Sequence, residues 1–351
     1  MFETDTDHSW RELYDAMAKL YTLAPWQWMS DTDLFAVRRP EDATIGYVSV
    51  FGAAGESFGV FVFLGAYGLW TYERQAEIGA RRDLEQLEQI DSAELLERFP
   101  YGLSALFEDR TRLSERERTR LRALGLAYRG RNAWPQARFH EPGYLPTPDL
   151  TPAQLELLAT AVEQTVEVAS RVLDDPDYLV PPETRVGWLR LRTLSASTGR
   201  WVDGWHRPRA ARREPTVRLD LEALLREVGP LRPPQGAWEV DFAYLPGAVS
   251  DGRDGRPYFP RLILVVDAAT GLVLGHDVGA PERAAEALQL TATRAAVEHG
   301  PPEHLKVSHP DAARLLAPLA RAVGARMTLV KRLPRAQRLR QSMVAAMERE
   351  L

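Results

Sequence analysis

The chain of 351 residues is long enough for two domains, and with 45% hydrophobic and 26% charged residues it has a globular composition. It contains no cysteine, which excludes disulfides, thiol nucleophiles and cysteine-ligated zinc or iron-sulfur centres. No apolar run approaches the roughly 20 residues of a membrane span, and Glu3, Asp5 and Asp7 do not fit the basic start of a signal peptide. We therefore expect a cytoplasmic protein that does not contact a membrane.

The net charge of −5 conceals a difference between the two halves of the chain. Residues 1–179 carry 30 acidic and 18 basic side chains, whereas residues 180–351 carry 19 acidic and 26 basic ones. This difference in sign indicates separate domains, and it makes the C-terminal half the better candidate for contact with an anionic partner. Arginine outnumbers lysine by 41 to 3, which is typical of a GC-rich bacterial genome.

Residues 1–148 predict an α+β domain that combines a small antiparallel sheet with helices. Ser9 and Glu12 form a capping box for a first amphipathic helix. Three strand-like runs follow, LFAVRRP, GYVSVFG and SFGVFVFLG, and residues 70–127 are expected to be mostly helical. As a whole, residues 8–148 resemble an uncharacterised bacterial domain of unknown function, a resemblance that implies no activity.

Two features of the N-terminal half could serve a protein partner. Trp26 and Trp28 are interpreted as core residues, with a partner-binding surface as the alternative. Residues 149–180 predict a bridging helix and linker, in which Thr151 caps a helix with a long apolar stripe. That stripe must be buried against another surface, and we expect this surface to be the first domain.

Residues 181–235 predict a basic hairpin and a connector. The stretch 185–213 holds eight arginines and one acid, and the stretch 321–340 holds seven lysines or arginines and no acid. Arginines interleaved with tryptophans are the residue types that contact phosphates and stack on bases. The alternative is that the arginines protect an edge strand from pairing. The nucleic-acid-binding candidates are Arg190, Arg192, Arg200, Trp201, Trp205, Arg209, Arg212, Arg213, Lys331 and Arg332, and Arg190, Arg192 and Arg200 are expected to face solvent.

Residues 236–351 predict a second domain with the element order βββαβαβα. AWEVDFAYL alternates apolar and polar residues, RLILVVD is a wholly apolar strand, and LVLGHDV completes a meander. Two helices then alternate with the short strands LKVSH and RMTLV, and a last helix runs from about Arg335 to the terminus. The fold class is therefore α+β or α/β with two domains.

This order resembles the ribonuclease H-like fold, and the local sequence motifs resemble those of the catalytic core of retroviral-type integrases and related transposases. Trp238 and Asp241 match the family's opening Trp and Asp at a slightly wider spacing, and VVDAATG matches its strand that ends in Asp. The second acidic ligand of the family is replaced by Ser308-His309-Pro310, and Gln341 stands where the family has a Glu. The resemblance therefore implies a degenerate metal site.

The function that follows is a non-catalytic binding or regulatory protein without a cofactor, and a nucleic acid or a protein is its expected partner. The first alternative is a nuclease or transposase-related enzyme that uses Mg²⁺ or Mn²⁺, for which convergent carboxylates are required. Its catalytic candidates are Asp241, Glu286 and Asp311, and its metal-binding candidates are Asp241, His309 and Asp311. In the first interpretation Asp241 is a remnant of the metal site or lies on a solvated strand face, and Asp267 forms a turn. This interpretation also expects at least one of the three carboxylates to point into solvent or into an ion pair. The second alternative is a protein-partner interaction module.

Overall fold

The structure is a computed structural model that describes residues 5–42, 44–55, 57–79, 96–97, 99–215, 217, 232–252 and 255–350. The chain forms two compact units. Unit 1 comprises residues 1–84, 98–142 and 146–212, and unit 2 comprises residues 85–97, 143–145 and 213–351. Two short segments from the N-terminal half of the sequence are therefore part of unit 2. Among the described residues, no helix is long and apolar enough to cross a membrane.

Unit 1 is built on one mixed sheet of seven strands in the order β5-β4-β3-β2-β1-β6-β7. Its strands are β1 (Phe35–Arg38), β2 (Gly46–Phe51), β3 (Phe58–Leu64), β4 (Gly102–Glu108), β5 (Trp134–His140), β6 (Leu189–Leu194) and β7 (Trp201–His206). Neighbouring strands are antiparallel except β1 and β6, which are parallel. Its helices are α1 (Asp5–Leu23), α2 (Gly65–Gly79), α3 (Glu115–Ala123) and α4 (Pro152–Asp174).

The main core of unit 1 lies between one face of this sheet and the helices α1 and α4. The apolar stripes of the two helices pack against each other and against the valines of β2 and β3. The Thr151 hydroxyl accepts a hydrogen bond from the Gln154 backbone N–H, and Gln154 Oε1 accepts one from the Thr151 backbone N–H, so the predicted capping box is present. The box predicted at Ser9 lies inside α1 instead, because that helix begins four residues earlier at Asp5.

The N-terminal sheet is larger than the predicted one. Strand β4 lies within residues 70–127, which were expected to be mostly helical, and β5 is not one of the three predicted strands. Residues 102–107 of β4 pair with β3, and β5 pairs with β4 over its full length. Leu103, Ala105 and Phe107 alternate into the main core, so pairing with neighbouring strands overrides the local preference.

Unit 2 is built on a five-stranded mixed sheet in the order β10-β9-β8-β11-β12. The strands are β8 (Ala237–Tyr244), β9 (Arg261–Asp267), β10 (Val273–Gly279), β11 (His304–Val307) and β12 (Arg326–Leu329). The meander β8-β9-β10 is antiparallel, whereas β11 pairs in parallel with both β8 and β12. Its helices are α5 (Ala284–His299), α6 (Pro310–Val323) and α7 (Pro334–Glu350), which follow the predicted order βββαβαβα.

Helices cover both faces of this second sheet. On one face α5 and α6 pack on Trp238, Val240 and Phe242 of β8. On the other face α7 packs on the even-numbered leucines of β9, and Leu333 and Ala336 are completely buried there. The central strand β8 is therefore buried on both sides, which decides the environment of its acidic residues.

Candidate functional site

Two carboxylates of β8 lie under α7. Side chains alternate along a strand, and since Trp238, Val240 and Phe242 face α5 and α6, Glu239 and Asp241 face α7. Glu239 is 4% exposed and Asp241 is 2% exposed. A carboxylate at this depth requires a counter-charge or several donors, and α7 supplies both.

Asp241 forms an ion pair with Arg340 of α7. The Arg340 Nε donates to Asp241 Oδ2 over 2.8 Å, and the two side chains are 6% and 3% exposed. The expectation of a solvated strand face for Asp241 is therefore wrong, whereas an ion pair, which the first interpretation also allowed, is present. The physical reason is that α7 covers this face, so the carboxylate is neutralised inside the protein by a permanent cation.

Glu239 binds the N-terminus of α7. Its Oε2 accepts hydrogen bonds from the backbone N–H groups of Arg335 at 2.8 Å and Ala336 at 3.0 Å. These N–H groups belong to the first helical turn and have no partner inside the helix, and the positive end of the helix dipole favours a negative charge at this place. Both acidic residues of β8 therefore attach the last helix to the sheet.

The remaining metal-binding candidates do not join Asp241 in one cluster. Glu286 is exposed on α5, and Gln341 is exposed on α7. The backbone N–H of Asp311 donates to His309 Nδ1. In the described part of the chain no group of three or more His, Asp or Glu side chains is arranged to hold a metal ion. Asp267, expected to form a turn, accepts hydrogen bonds from Ala269 and Thr270, which lower its pKa.

His309 instead belongs to a partly buried polar cluster with Glu97 and Arg261. Its Nδ1 accepts from the Asp311 N–H at 3.1 Å and so caps α6, while its Nε2 lies 3.1 Å from Glu97 Oε2. The Arg261 guanidinium bonds Glu97 and lies over the Phe242 ring at 3.9 Å. Because Nδ1 accepts a hydrogen bond, the neutral His309 ring carries its proton on Nε2. This Nε2–H group can donate to Glu97.

The charges of this cluster act on Glu97. Burial alone would raise its pKa, but the positive charge of Arg261 and the hydrogen bonds from Arg261 and His309 lower the pKa to about 2. Glu97 is therefore ionised over the whole neutral range. It lies more than 150 residues from Arg261 in sequence and belongs to a segment that the sequence did not relate to this sheet.

The basic hairpin β6–β7 uses its arginines within unit 1. Arg192 is 3% exposed, donates to Gln164 Oε1 at 3.0 Å and pairs with Asp203 at 2.7 Å, so the expectation that it faces solvent is wrong. Arg190 lies between the rings of Tyr178 and Trp205, at 4.5 and 4.0 Å. Strand β6 lies inside the sheet, because it pairs with β1 on one side and with β7 on the other. Its arginines Arg192 and Arg190 bond to α4 and to the loop after α4.

The other candidates of the first basic stretch are divided between structure and surface. Trp201 packs against the main core of unit 1, and Arg212 lies 5.6 Å from the Trp70 ring. Arg200, Arg209 and Arg213 are exposed. This stretch therefore offers fewer phosphate-binding groups than its sequence suggests.

The second basic stretch is mostly exposed. Lys331 and Arg332 follow directly after the edge strand β12, and both are exposed, as are Arg321 and Arg326. Arg340, in the same stretch, is the buried partner of Asp241. The two basic stretches look alike in sequence, but the second has the larger number of exposed cations next to its edge strand, β12.

Sequence reasoning did not identify Arg340, Glu239, Glu97 or Arg261 as site residues. One signal could have found the first two, because RLILVVD predicted that the neighbouring strand is buried on both faces. If both faces of β9 are covered, the acidic residues of the adjacent β8 also lie beneath a helix and need partners from it. No comparable local signal indicates Glu97.

Comparisons with known proteins give two matches. A family model described as a domain of unknown function (DUF7309) matches residues 10–190. A second model, described as a domain of unknown function (DUF6930), matches residues 225–344. No curated protein matches the chain. The first match agrees with the expectation of an uncharacterised N-terminal domain, and since it spans more than half of the 351 residues, the chain belongs to the DUF7309 family.

Proposed function

We propose that the protein is a non-catalytic binding or regulatory protein whose unit 2 is a ribonuclease H-like scaffold, and that it associates with nucleic acid. The observation that carries this proposal is the buried pair of Asp241 and Arg340. The order βββαβαβα on a single mixed sheet supports the scaffold assignment.

The ion pair of Asp241 and Arg340 argues against metal-dependent catalysis, because Arg340 neutralises the carboxylate that would attract a metal ion. Metal-dependent phosphodiester cleavage requires carboxylates that converge on divalent cations. In this chain the guanidinium of Arg340 already neutralises Asp241, and Glu239 is engaged by two N–H groups of α7. A metal ion at Asp241 would have to displace a hydrogen-bonded cation from a site that excludes water. This cost favours a structural function for the carboxylate.

Association with nucleic acid is supported by the exposed cations of the second basic stretch. Lys331 and Arg332 lie beside the outer edge of the unit 2 sheet, where a phosphate backbone can approach. Arg190 and Arg192, the most prominent candidates of the first stretch, are engaged by protein groups. The proposed contact therefore lies in unit 2.

The test combines a cleavage assay and a binding assay. Labelled single-stranded, duplex and hybrid nucleic acids are incubated with Mg²⁺ or Mn²⁺ and either the wild-type protein or the Asp241→Asn variant. We expect no cleavage above background with either protein. We also expect binding of the wild type, measured by fluorescence anisotropy, to weaken steeply as the salt concentration rises.

A second variant guards against a loss of folding. In Asp241→Leu/Arg340→Met both members of the pair are replaced by apolar side chains, which leaves no unpaired buried charge. Metal-dependent cleavage by the wild type that disappears in this folded double variant would refute the non-catalytic proposal. Absence of salt-sensitive binding would refute the association with nucleic acid.

A further inference from the structure

The strands β11 and β12 place four polar side chains on one face of the unit 2 sheet. Leu305, Val307 and Met327 face the core beneath α5 and α6. By alternation, His304 and Lys306 of β11 and Arg326 and Thr328 of β12 lie on the opposite face. The register sets His304 beside Arg326 and Lys306 beside Thr328, so the four residues form a polar square.

The polar square is ordered by a hydrogen bond and lies beside α7. His304 Nε2 and Thr328 Oγ1 are 2.8 Å apart, across the diagonal of the square. The apolar residues of α7 pack mainly on β8 and β9, so the β11 and β12 part of the same face carries the square. Arg326 is exposed, and the other three side chains are half-buried.

The cations of this region have no carboxylate partner within the described residues. Neither Lys306 nor Arg326 forms an ion pair there, nor do Lys331 and Arg332 at the end of β12. Elsewhere in the molecule, arginines such as Arg138 and Arg192 are paired with carboxylates. Glu239 of β8 stands beside Lys306 on this face, but its carboxylate is bound by the N–H groups of Arg335 and Ala336. A group of cations without ion pairs on one part of a sheet is the property expected of a surface that meets an anion.

We infer that the polar square of His304, Lys306, Arg326 and Thr328 is a phosphate-binding site, flanked by Lys331 and Arg332. Strand geometry places the α-carbons of Lys306 and Arg326 about 8 Å apart, so these long side chains can close on one phosphate group from two sides. Arginine can grip phosphate oxygens bidentately, lysine adds a point charge, and the Thr328 hydroxyl can donate. This inference rests on the proposed nucleic-acid association and specifies its contact.

The chemistry predicts recognition of the phosphate group without base selection. The polar square contains no Phe, Tyr or Trp on which a base could stack. The phosphate can come from a nucleic-acid backbone or from a small phosphate compound, and the two sources are distinguished by the probe. Binding to a nucleic-acid backbone weakens as the salt concentration rises, because counterions are released from the phosphates. On duplex DNA, the logarithm of the association constant falls with the logarithm of the salt concentration with a slope of about −0.9 per phosphate contact.

The experiment compares the full-length wild type, Lys306→Gln/Arg326→Gln and the control Arg294→Gln. Arg294 is an exposed arginine on α5, which packs on the other face of the sheet near the opposite edge. One set of titrations uses labelled duplexes of two unrelated sequences at several salt concentrations. The other uses inorganic phosphate, followed by thermal denaturation.

We expect the wild type to bind both duplexes equally well. The Lys306→Gln/Arg326→Gln variant should bind about tenfold more weakly, with a salt slope lower by about 1 to 2, whereas Arg294→Gln should match the wild type. Duplex binding that is unchanged in the double variant would overturn the site while leaving the nucleic-acid association intact.

The phosphate titration separates the two proposals in the other direction. If the duplex does not bind, but phosphate stabilises the wild type and not the double variant, the site stands and the nucleic-acid association fails. If the double variant aggregates without any change in phosphate or duplex affinity, the cations serve only to protect the edge strand β12, and the inference is overturned.

Discussion

Loss of Arg340 should be one of the most destabilising single changes in unit 2. Its ion pair with Asp241 spans 2.8 Å, and the two side chains are 6% and 3% exposed. Removal of one partner of such a pair leaves an uncompensated buried charge and costs about 3 to 5 kcal/mol. The Arg340→Met variant should therefore lose about that much of its free energy of unfolding.

A double variant distinguishes the cost of leaving a buried charge unpaired from the cost of replacing the side chains. Replacement of both charges in Asp241→Leu/Arg340→Met should return the free energy of unfolding to within about 1 kcal/mol of the wild type, because neither charge is left unpaired. The measurement is urea denaturation followed by fluorescence. The surface pair of Arg118 and Glu115 provides the control, and Arg118→Met should leave the urea midpoint almost unchanged. A loss below about 1 kcal/mol in Arg340→Met would refute the reasoning.

Three further predictions concern unit 2. Arg261 and His309 lower the folded-state pKa of Glu97 to about 2, and because one quarter of the side chain is exposed, the ionised carboxylate should stabilise the fold by on the order of 2 kcal/mol. This stabilisation is complete above the ordinary pKa near 4.5 and is lost as the pH falls towards 2. The difference in stability between the wild type and Glu97→Gln should therefore shrink over that pH range, and a constant difference would contradict the assignment. Glu239→Gln should cost about 1 kcal/mol by removing a charge from the α7 N-terminus, and equal urea midpoints would contradict this. Thr293 is buried on α5 with a hydroxyl that has no hydrogen-bond partner among the described residues, so Thr293→Val should leave stability unchanged or raise it by about 1 kcal/mol, and a clear loss would contradict the prediction.

The elements of unit 2 were predictable from local sequence patterns. RLILVVD coincides with β9, and the helix predicted between LKVSH and RMTLV coincides with α6. Proline at the first turn and Gly324 after the last one mark the ends of α6, and such signals act within a few residues. Local periodicity therefore suffices for element order.

The contacts that define the site were not predictable in this way. Asp241 and Arg340 lie 99 residues apart, and their pairing depends on which sheet face α7 covers. Glu97 reaches Arg261 across 164 residues, from a segment that lies within the N-terminal half of the sequence. The sequence also could not tell Arg192, which is buried, from Lys331, which is exposed, since both stand in runs rich in basic residues.

Strand pairing explains why β4 of unit 1 is a strand although its segment was expected to be helical. GLSALFE has no strong local signal for a strand, but β3 and β5 on its two sides complete its hydrogen bonds. Gly59 of β3 shows how close this pairing is, because a Cβ at that position would lie 2.2 Å from the backbone oxygen of Ala105. The space for β4 is thus set by a neighbour more than 40 residues away.

We propose that Arg340 takes the place at Asp241 that a divalent cation would need. This claim is tested most directly by calorimetric titration of Mn²⁺ into the full-length wild type and into Asp241→Leu/Arg340→Met. We predict no saturable Mn²⁺ binding that distinguishes the two proteins. Stoichiometric Mn²⁺ binding by the wild type that is lost in the folded double variant would contradict the claim and would identify Asp241 as a metal ligand.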